Sequence, residues 1–290
     1  MEIDEETRLK LLPFQRNEIT EQRIYTRLAQ AAASSPNRQV LLRIAEEERQ
    51  HYEFWKTYTG QDVAPDGFQV YKYYLISRVL GFTFGAKLME NDEGDAQANY
   101  AGLREAIPNI EALIEAENRH ENSIIELLDE EALRYTGSVV LGLNDALVEL
   151  AGVLTGLTFA LRNTQLIALS GSITGIAAAL SMAASEYLST KAEGQIRDAS
   201  RAALYTGLAY IITVAIMILP YLLVPNLYVC LALALAAAII IIATFNYYIA
   251  VVKDLDFKAR FLEMAVLSFG VAGLTFVISL AIRLLLGVNI

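Results

Sequence analysis

The stretch Glu48-Arg49-Gln50-His51 places a glutamate and a histidine three residues apart, and Glu117-Asn118-Arg119-His120 repeats that spacing. On an α-helix a three-residue step keeps both side chains of a pair on one face. An isolated pair of this kind is most often an ordinary surface feature. Because the two pairs use both histidines of the chain, they instead favour two helices that face each other and hold a pair of metal ions.

The helix that carries the first pair is predicted over residues 36–59, between Pro36 and Gly60. A preceding amphipathic helix over residues 7–34 bears Glu18. Within 36–59, apolar residues and the Glu/His pair advance together by three or four positions, at Leu41, Ile44, Glu48, His51 and Trp55. The pair therefore lies in the apolar stripe and is expected to face the core.

Two further helices complete the predicted bundle. The third begins near Tyr71, reaches Glu90 and Glu93, and is expected to continue past Gly94. Pro108 opens the fourth, which carries Glu117 and His120. The four helices then supply a carboxylate, a Glu-x-x-His pair, a carboxylate and a second Glu-x-x-His pair, which is the ligand arrangement of ferritin-like di-iron and di-manganese bundles.

Residues 5–133 resemble the rubrerythrin branch of the ferritin-like superfamily. The resemblance implies a di-iron centre, with manganese as the alternative metal, since carboxylate and imidazole ligands suit both. It assigns the metal ligands Glu18, Glu48, His51, Glu90, Glu117 and His120, with Glu93 as an additional candidate. The single cysteine, Cys230, excludes a Cys-based zinc or iron–sulfur centre in this sequence.

Charge and hydropathy change abruptly after Arg134. Residues 1–134 contain 15 Lys and Arg against 25 Asp and Glu, whereas residues 135–290 contain 8 of each, so the first part carries the whole net charge of −10. The acidic part is expected to repel nucleic acid and attract cations. The chain is 54% hydrophobic with a mean hydropathy of +0.37, which is high for a soluble protein.

We therefore predict an all-α chain with a ferritin-like four-helix bundle in residues 1–134 and a membrane domain in residues 135–290. Five apolar runs have about the 20 residues needed to cross a bilayer. They lie at about 138–161, 165–190, 203–223, 227–252 and 262–286.

The acidic opening residues lack a basic segment followed by an apolar run, so no signal peptide is expected and the N-terminal domain should lie in the cytoplasm. With that orientation, six basic residues border the inner loops 191–202 and 253–261, against Arg162 and Arg283 outside. This asymmetry follows the positive-inside rule. The predicted location is the cytoplasmic (inner) membrane, with several spans embedded in lipid.

Ionisable residues within the apolar runs are expensive to place in lipid and normally mark a pathway. The candidates are Asp145, Glu149, Glu186 and Glu263, although Glu186 and Glu263 could reach water near the cytoplasmic end of a span. Met182 lies four residues before Glu186 and shares its helix face. Small residues that allow close helix packing occur at Gly152, Gly156, Gly171 and Gly175.

Two stretches, Gly142–Glu149 and Ser181–Ser189, resemble motifs of the vacuolar iron transporter family, which includes the yeast-type vacuolar iron and manganese carriers. The resemblance implies a homodimer that exchanges Fe²⁺ or Mn²⁺ for protons and moves metal out of the cytosol. It assigns the intramembrane path to Asp145, Met182 and Glu186, and Glu149 is a further candidate. The order of bundle and transporter resembles the prokaryotic membrane-bound ferritin, or erythrin–vacuolar iron transporter, group.

The expected function is export of Fe²⁺, with Mn²⁺ as a second cargo, by proton antiport. For the N-terminal domain two interpretations remain open. It is either a module that binds, senses or delivers the metal, or an enzyme, a di-iron ferroxidase that reacts with O₂ or peroxide and makes transport secondary.

Overall fold

The computed structural model describes residues 4–97, 107, 131–194 and 196–286, and all regular structure among them is helical. The all-α class predicted from the sequence is confirmed for these residues. Contacts divide the chain into two units, Met1–Glu130 and Glu131–Ile290.

In the first unit the described helices are α1 (Glu5–Ala31), α2 (Ser35–Thr59), α3 (Gly67–Leu80) and α4 (Phe82–Gln97). Their ends follow capping chemistry. Asp4 accepts a hydrogen bond from the backbone N–H of Thr7 at the start of α1, and Asp66 accepts from the backbone at the start of α3. Gly60 ends α2 with a positive φ of 69°, a conformation that favours glycine.

Helix α1 packs against α2 and α3, and α3 packs against α4. The apolar core of this unit is formed mainly by α1 and α2, including the fully buried Leu28 and Leu41. Two side chains of α1 form hydrogen bonds with the backbone of the connection between α2 and α3. Gln15 donates to the carbonyl of Gln61, and Thr20 accepts from the backbone N–H of Asp66. These two bonds hold α1 in position against the connection. Glu18 lies on α1 between the two anchoring residues, Gln15 and Thr20.

The prediction of one continuous third helix from Tyr71 past Glu93 is wrong. Gly81 ends α3 with φ +103°, and α4 starts at Phe82. The helical spacing of apolar side chains continues across this break. The backbone nevertheless turns at Gly81, because glycine readily adopts a positive φ that other residues avoid. The predicted fourth helix, including Glu117 and His120, lies outside the described residues, so the ferritin-like four-helix arrangement stays a prediction.

The second unit starts with the short α5 (Glu131–Arg134) and continues with five long helices: α6 (Thr136–Leu161), α7 (Thr164–Ala192), α8 (Ile196–Leu223), α9 (Leu227–Lys253) and α10 (Phe257–Leu286). Each of the five contains a segment long and apolar enough to cross a membrane. The predicted number of five spans therefore agrees with the helices that the structure describes.

Helices α8 and α10 extend beyond the predicted third and fifth spans at their starts. Helix α8 begins at Ile196 and α10 at Phe257, rather than near 203 and 262. The sequence criterion finds where the chain becomes apolar, but the helices extend beyond that point into polar residues such as Arg201 and Lys258. The connections at this end of the unit are consequently shorter than the predicted loops 191–202 and 253–261.

Helix α6 is the centre of the membrane unit. It contacts α7, α8, α9 and α10, and it is the most buried of the five long helices. Its glycines allow these neighbours to approach closely, as predicted for Gly152 and Gly156. A Cβ at Gly152 would meet Thr275 Oγ1 at 2.9 Å, and one at Gly156 would meet Ser279 Oγ at 2.9 Å, both on α10.

The closest approach joins α6 to α8 at Gly142. A Cβ at this position would press against the carbonyl oxygen of Thr206, closer than van der Waals contact allows. Because the obstacle is backbone, a rotamer change cannot relieve it.

We predict that Gly142→Ala destabilises the membrane unit by about 1–3 kcal/mol, the usual cost of overpacking. The measurement is the thermal unfolding midpoint of the purified chain in detergent. Gly137→Ala, on the same helix with no atom near the added Cβ, is the matched control and should be neutral or stabilising. Equal midpoints for the two variants would show that the α6–α8 approach is not tight.

Candidate metal sites

Three of the predicted metal ligands converge in the first unit. Glu18 on α1 and Glu48 and His51 on α2 each offer a ligand atom, and these atoms lie within 4.8 Å of one another. His51 Nδ1 is 3.6 Å from Glu18 Oε2 and 3.9 Å from Glu48 Oε2. The two carboxylates are almost fully buried, with 3% and 2% of their side chains exposed, and His51 is 17% exposed.

Trp55 orients Glu18 in this cluster. The fully buried indole donates a hydrogen bond of 2.9 Å from Nε1 to Glu18 Oε1, while Oε2 of the same carboxylate is the oxygen nearest His51. Trp55 follows His51 by four residues and therefore lies one turn further along the same face of α2. The sequence placed Trp55 in this stripe, but its partner on α1 depends on the packing of the two helices.

The chemistry of the cluster fits an iron or manganese ion. Two carboxylates removed from water are costly unless a proton, a donor or a cation balances their charge. The Trp55 indole supplies one neutral donor to Glu18, and the ligand atoms of Glu18, Glu48 and His51 converge within 4.8 Å of one another. Oxygen and imidazole ligands are those that Fe²⁺ and Mn²⁺ accept.

The side chains of the remaining predicted ligands lie outside the described part of the structure. Glu90 and Glu93 lie on α4, of which the structure gives the backbone at these positions. Glu117 and His120 lie outside the described residues. The second half of a di-metal centre therefore stays a prediction.

In the membrane unit, Glu149 on α6 is hydrogen-bonded by Tyr210 on α8. The Tyr210 hydroxyl donates to Glu149 Oε2 at 2.5 Å, and the tyrosine side chain is fully buried. Asp145 lies one turn before Glu149 on the same face of α6. Two carboxylates in one span are thus stacked along α6, and α8 supplies a neutral donor to one of them.

Glu186 on α7 accepts a hydrogen bond from the hydroxyl group of Ser138 on α6, whose backbone carbonyl in turn accepts from Thr206 on α8. Ser138 Oγ donates to Glu186 Oε1 at 2.6 Å, and Thr206 Oγ1 donates to the carbonyl oxygen of Ser138 at 3.0 Å. The close approach of α6 and α8 at Gly142 brings Thr206 within reach of Ser138. Ser138, Thr206 and Tyr210 could not be predicted from the sequence, because a hydroxyl that reaches a carboxylate from another helix leaves no local pattern.

Among the described residues, Asp145, Glu149 and Glu186 do not form a three-ligand cluster like that of the first unit. Met182, four residues before Glu186, is partly buried against the apolar core of the unit. The predicted path residues lie on the neighbouring helices α6 and α7.

For the cluster of the first unit, we predict that Glu48→Gln removes a metal-dependent gain in thermal stability. The neutral amide is nearly the same size, so the metal-free chain should melt at the wild-type temperature or above it, because one of two neighbouring buried carboxylates has gone. Addition of Mn²⁺ should raise the melting temperature of the wild-type chain. In the variant this increase should be smaller by the part that arises from binding at this site. Glu53→Gln, on the exposed side of α2, is the control and should keep the full shift. A full Mn²⁺ shift in Glu48→Gln would contradict metal binding here.

Comparison with known families gives one match. The family model described as the VIT family matches residues 136–203, which comprise α6, α7 and the first turns of α8. The match includes Asp145, Glu149, Met182 and Glu186 and none of the first unit. No curated protein and no solved structure matches the chain.

The matched segment and the five apolar helices together support a multi-pass membrane protein. The family match also indicates the class of function. Residues 136–203 are similar to a family of membrane transporters of metal ions, namely iron and manganese.

Proposed function

We propose that this chain exports Fe²⁺, with Mn²⁺ as a second cargo, from the cytoplasm across the cytoplasmic membrane in exchange for protons. The VIT-family match over the residues that carry the intramembrane carboxylates is the observation on which the proposal rests. The acidic first unit lies on the cytoplasmic side and binds, senses or delivers the metal through Glu18, Glu48 and His51.

The partners of the intramembrane carboxylates support a transport role. Within the described parts of the chain, Glu149 and Glu186 accept from neutral hydroxyls, of Tyr210 and Ser138, and form no ion pair. A permanent Lys or Arg partner would neutralise such a group and hinder a mobile cation. A hydroxyl donor orients the carboxylate and leaves its charge available to a metal or a proton.

Exchange of metal for protons follows from the same groups. Deprotonated Asp145 and Glu186 attract a divalent ion, with the thioether of Met182 as a softer ligand. Protonation removes the charge that holds the ion and favours release. We propose that a homodimer completes the site with the same helices of the second copy.

The proposal predicts that Asp145→Asn abolishes metal flux. The full chain is reconstituted in vesicles that are acidic inside, and uptake of Fe²⁺ under reducing conditions is measured. Flux should fall at least tenfold, because the amide cannot supply the negative charge, while the variant elutes as the wild type does in gel filtration.

The matched control is Asp256→Asn. Asp256 caps α10 by accepting from the N–H of Ala259 at 2.8 Å, and asparagine is an equally good cap. This variant should transport at the wild-type rate. Wild-type flux in Asp145→Asn would exclude Asp145 from the metal path.

The second candidate function is that of a membrane-tethered ferroxidase. The buried cluster of Glu18, Glu48 and His51 favours it, because such ligands suit redox-active iron as well as simple capture. A bound di-iron centre would supply the electron transfer from Fe²⁺ to O₂ or peroxide. The residues of this chain would hold the metal, exclude water and, through Trp55, fix one carboxylate.

Oxygen consumption separates the two candidates. If the first unit only captures or senses iron, the full chain in detergent should consume no more O₂ with Fe²⁺ than its Glu48→Gln variant does. Consumption that depends on Glu48, and is unaffected by Asp145→Asn, would instead assign ferroxidase activity to the first unit. Addition of peroxide in place of O₂ tests the other oxidant in the same way.

A further inference from the structure

A polar cavity lies among α6, α9 and α10, away from the hydroxyl-bound carboxylates described above. Its volume is about 110 Å³. The polar and sulfur-containing side chains on its walls are Asn144, Asn246, Arg260, Glu263 and Met264. Glu263 was noted in the sequence as an ionisable residue within a span, and the proposed metal path does not use it.

The inner part of the cavity contains an amide oxygen that needs a partner. Asn144 Oδ1 is buried and has no hydrogen-bond partner among the described residues. Asn246 cannot supply one, because its Nδ2 already donates to the carbonyl of Ile242 at 2.8 Å and to Met264 Sδ at 3.1 Å. A buried amide oxygen left without a donor is unfavourable. The cavity is large enough for several waters, each of which needs only about 10–15 Å³.

The outer part of the cavity is formed by Glu263, which is exposed on α10. The cavity thus connects an accessible carboxylate with a buried amide on α6. Asn144 immediately precedes Asp145 in the chain, so water that reaches Asn144 also comes close to the backbone of the proposed metal path.

The charges around the cavity favour a proton over a metal ion. Among its lining residues, Glu263 and Arg260 carry charge, and both belong to α10; α6 and α9 contribute uncharged side chains. Arg260 lies three residues before Glu263 and shares its helix face. The guanidinium opposes entry of a divalent cation, whereas a carboxylate beside it can still take up and release a proton.

We propose that Glu263 is a proton-loading group, connected by water in this cavity to α6 at Asn144. This inference rests on the proposed exchange of metal for protons and adds a separate location for the proton. Metal and proton then use different groups beside α6: the metal passes the carboxylates of α6 and α7, and the proton enters through the cavity lined by α9 and α10.

The experiment compares two assays of the full chain in proteoliposomes, with Mn²⁺ as the probe because it resists oxidation. One measures Mn²⁺ uptake into vesicles that are acidic inside. The other measures exchange of Mn²⁺ tracer at equal pH on both sides. Glu263→Gln should slow the proton-driven uptake at least tenfold and leave the exchange within twofold of wild type. Glu263→Asp should restore uptake, because it restores the titratable group.

Glu193→Gln is the matched control, since Glu193 is an exposed glutamate at the end of α7, and it should leave both assays unchanged. Wild-type proton-driven uptake in Glu263→Gln would overturn the inference while the transport function stands. Loss of both assays in this variant would also overturn it, because Glu263 would then act on the metal or on the fold. Absence of both Mn²⁺ movement and, under reducing conditions, Fe²⁺ movement in the wild-type chain would instead refute the proposed function itself.

Discussion

The cost of burying a carboxylate is the constraint on which the rest of this structure depends. An ion removed from water must be balanced by a donor, a proton or a cation. The first unit gives Glu18 an indole donor and a histidine neighbour, and the membrane unit gives Glu149 and Glu186 one hydroxyl each. In both units these neutral donors orient the carboxylates without adding a positive charge beside them.

Close helix packing is what allows neutral donors to meet this constraint in the membrane unit. A hydroxyl has a short reach, so Thr206 can donate to the Ser138 carbonyl, and Tyr210 to Glu149, only where α6 and α8 pack closely. Gly142 provides that approach. Lys or Arg could have spanned a wider gap, but a fixed positive charge would then lie beside the groups proposed to carry metal. The glycine thus has an electrostatic consequence as well as a steric one.

Residue spacing predicted the parts of the structure that depend on a single helix. The apolar stripe of Leu41, Ile44 and Trp55 correctly placed Glu48 and His51 in the interior, and the apolar runs predicted five spans. Spacing could not find the break at Gly81, because the side-chain pattern continues while the backbone turns. Nor could it pair Tyr210 with Glu149 or Ser138 with Glu186, since those contacts depend on how each helix is rotated against its neighbours.

The hydrogen bond from Trp55 to Glu18 also has an optical consequence. Trp55 is the only tryptophan in the chain, so the indole emission comes entirely from this position. The ring lies against Phe14 and Phe54, with centroids 5.9 and 5.2 Å away, and its N–H contacts a carboxylate of the candidate metal cluster. Any change in the charge on Glu18 therefore acts directly on the chromophore. The fold has placed an intrinsic fluorescent reporter beside the candidate metal cluster of the first unit.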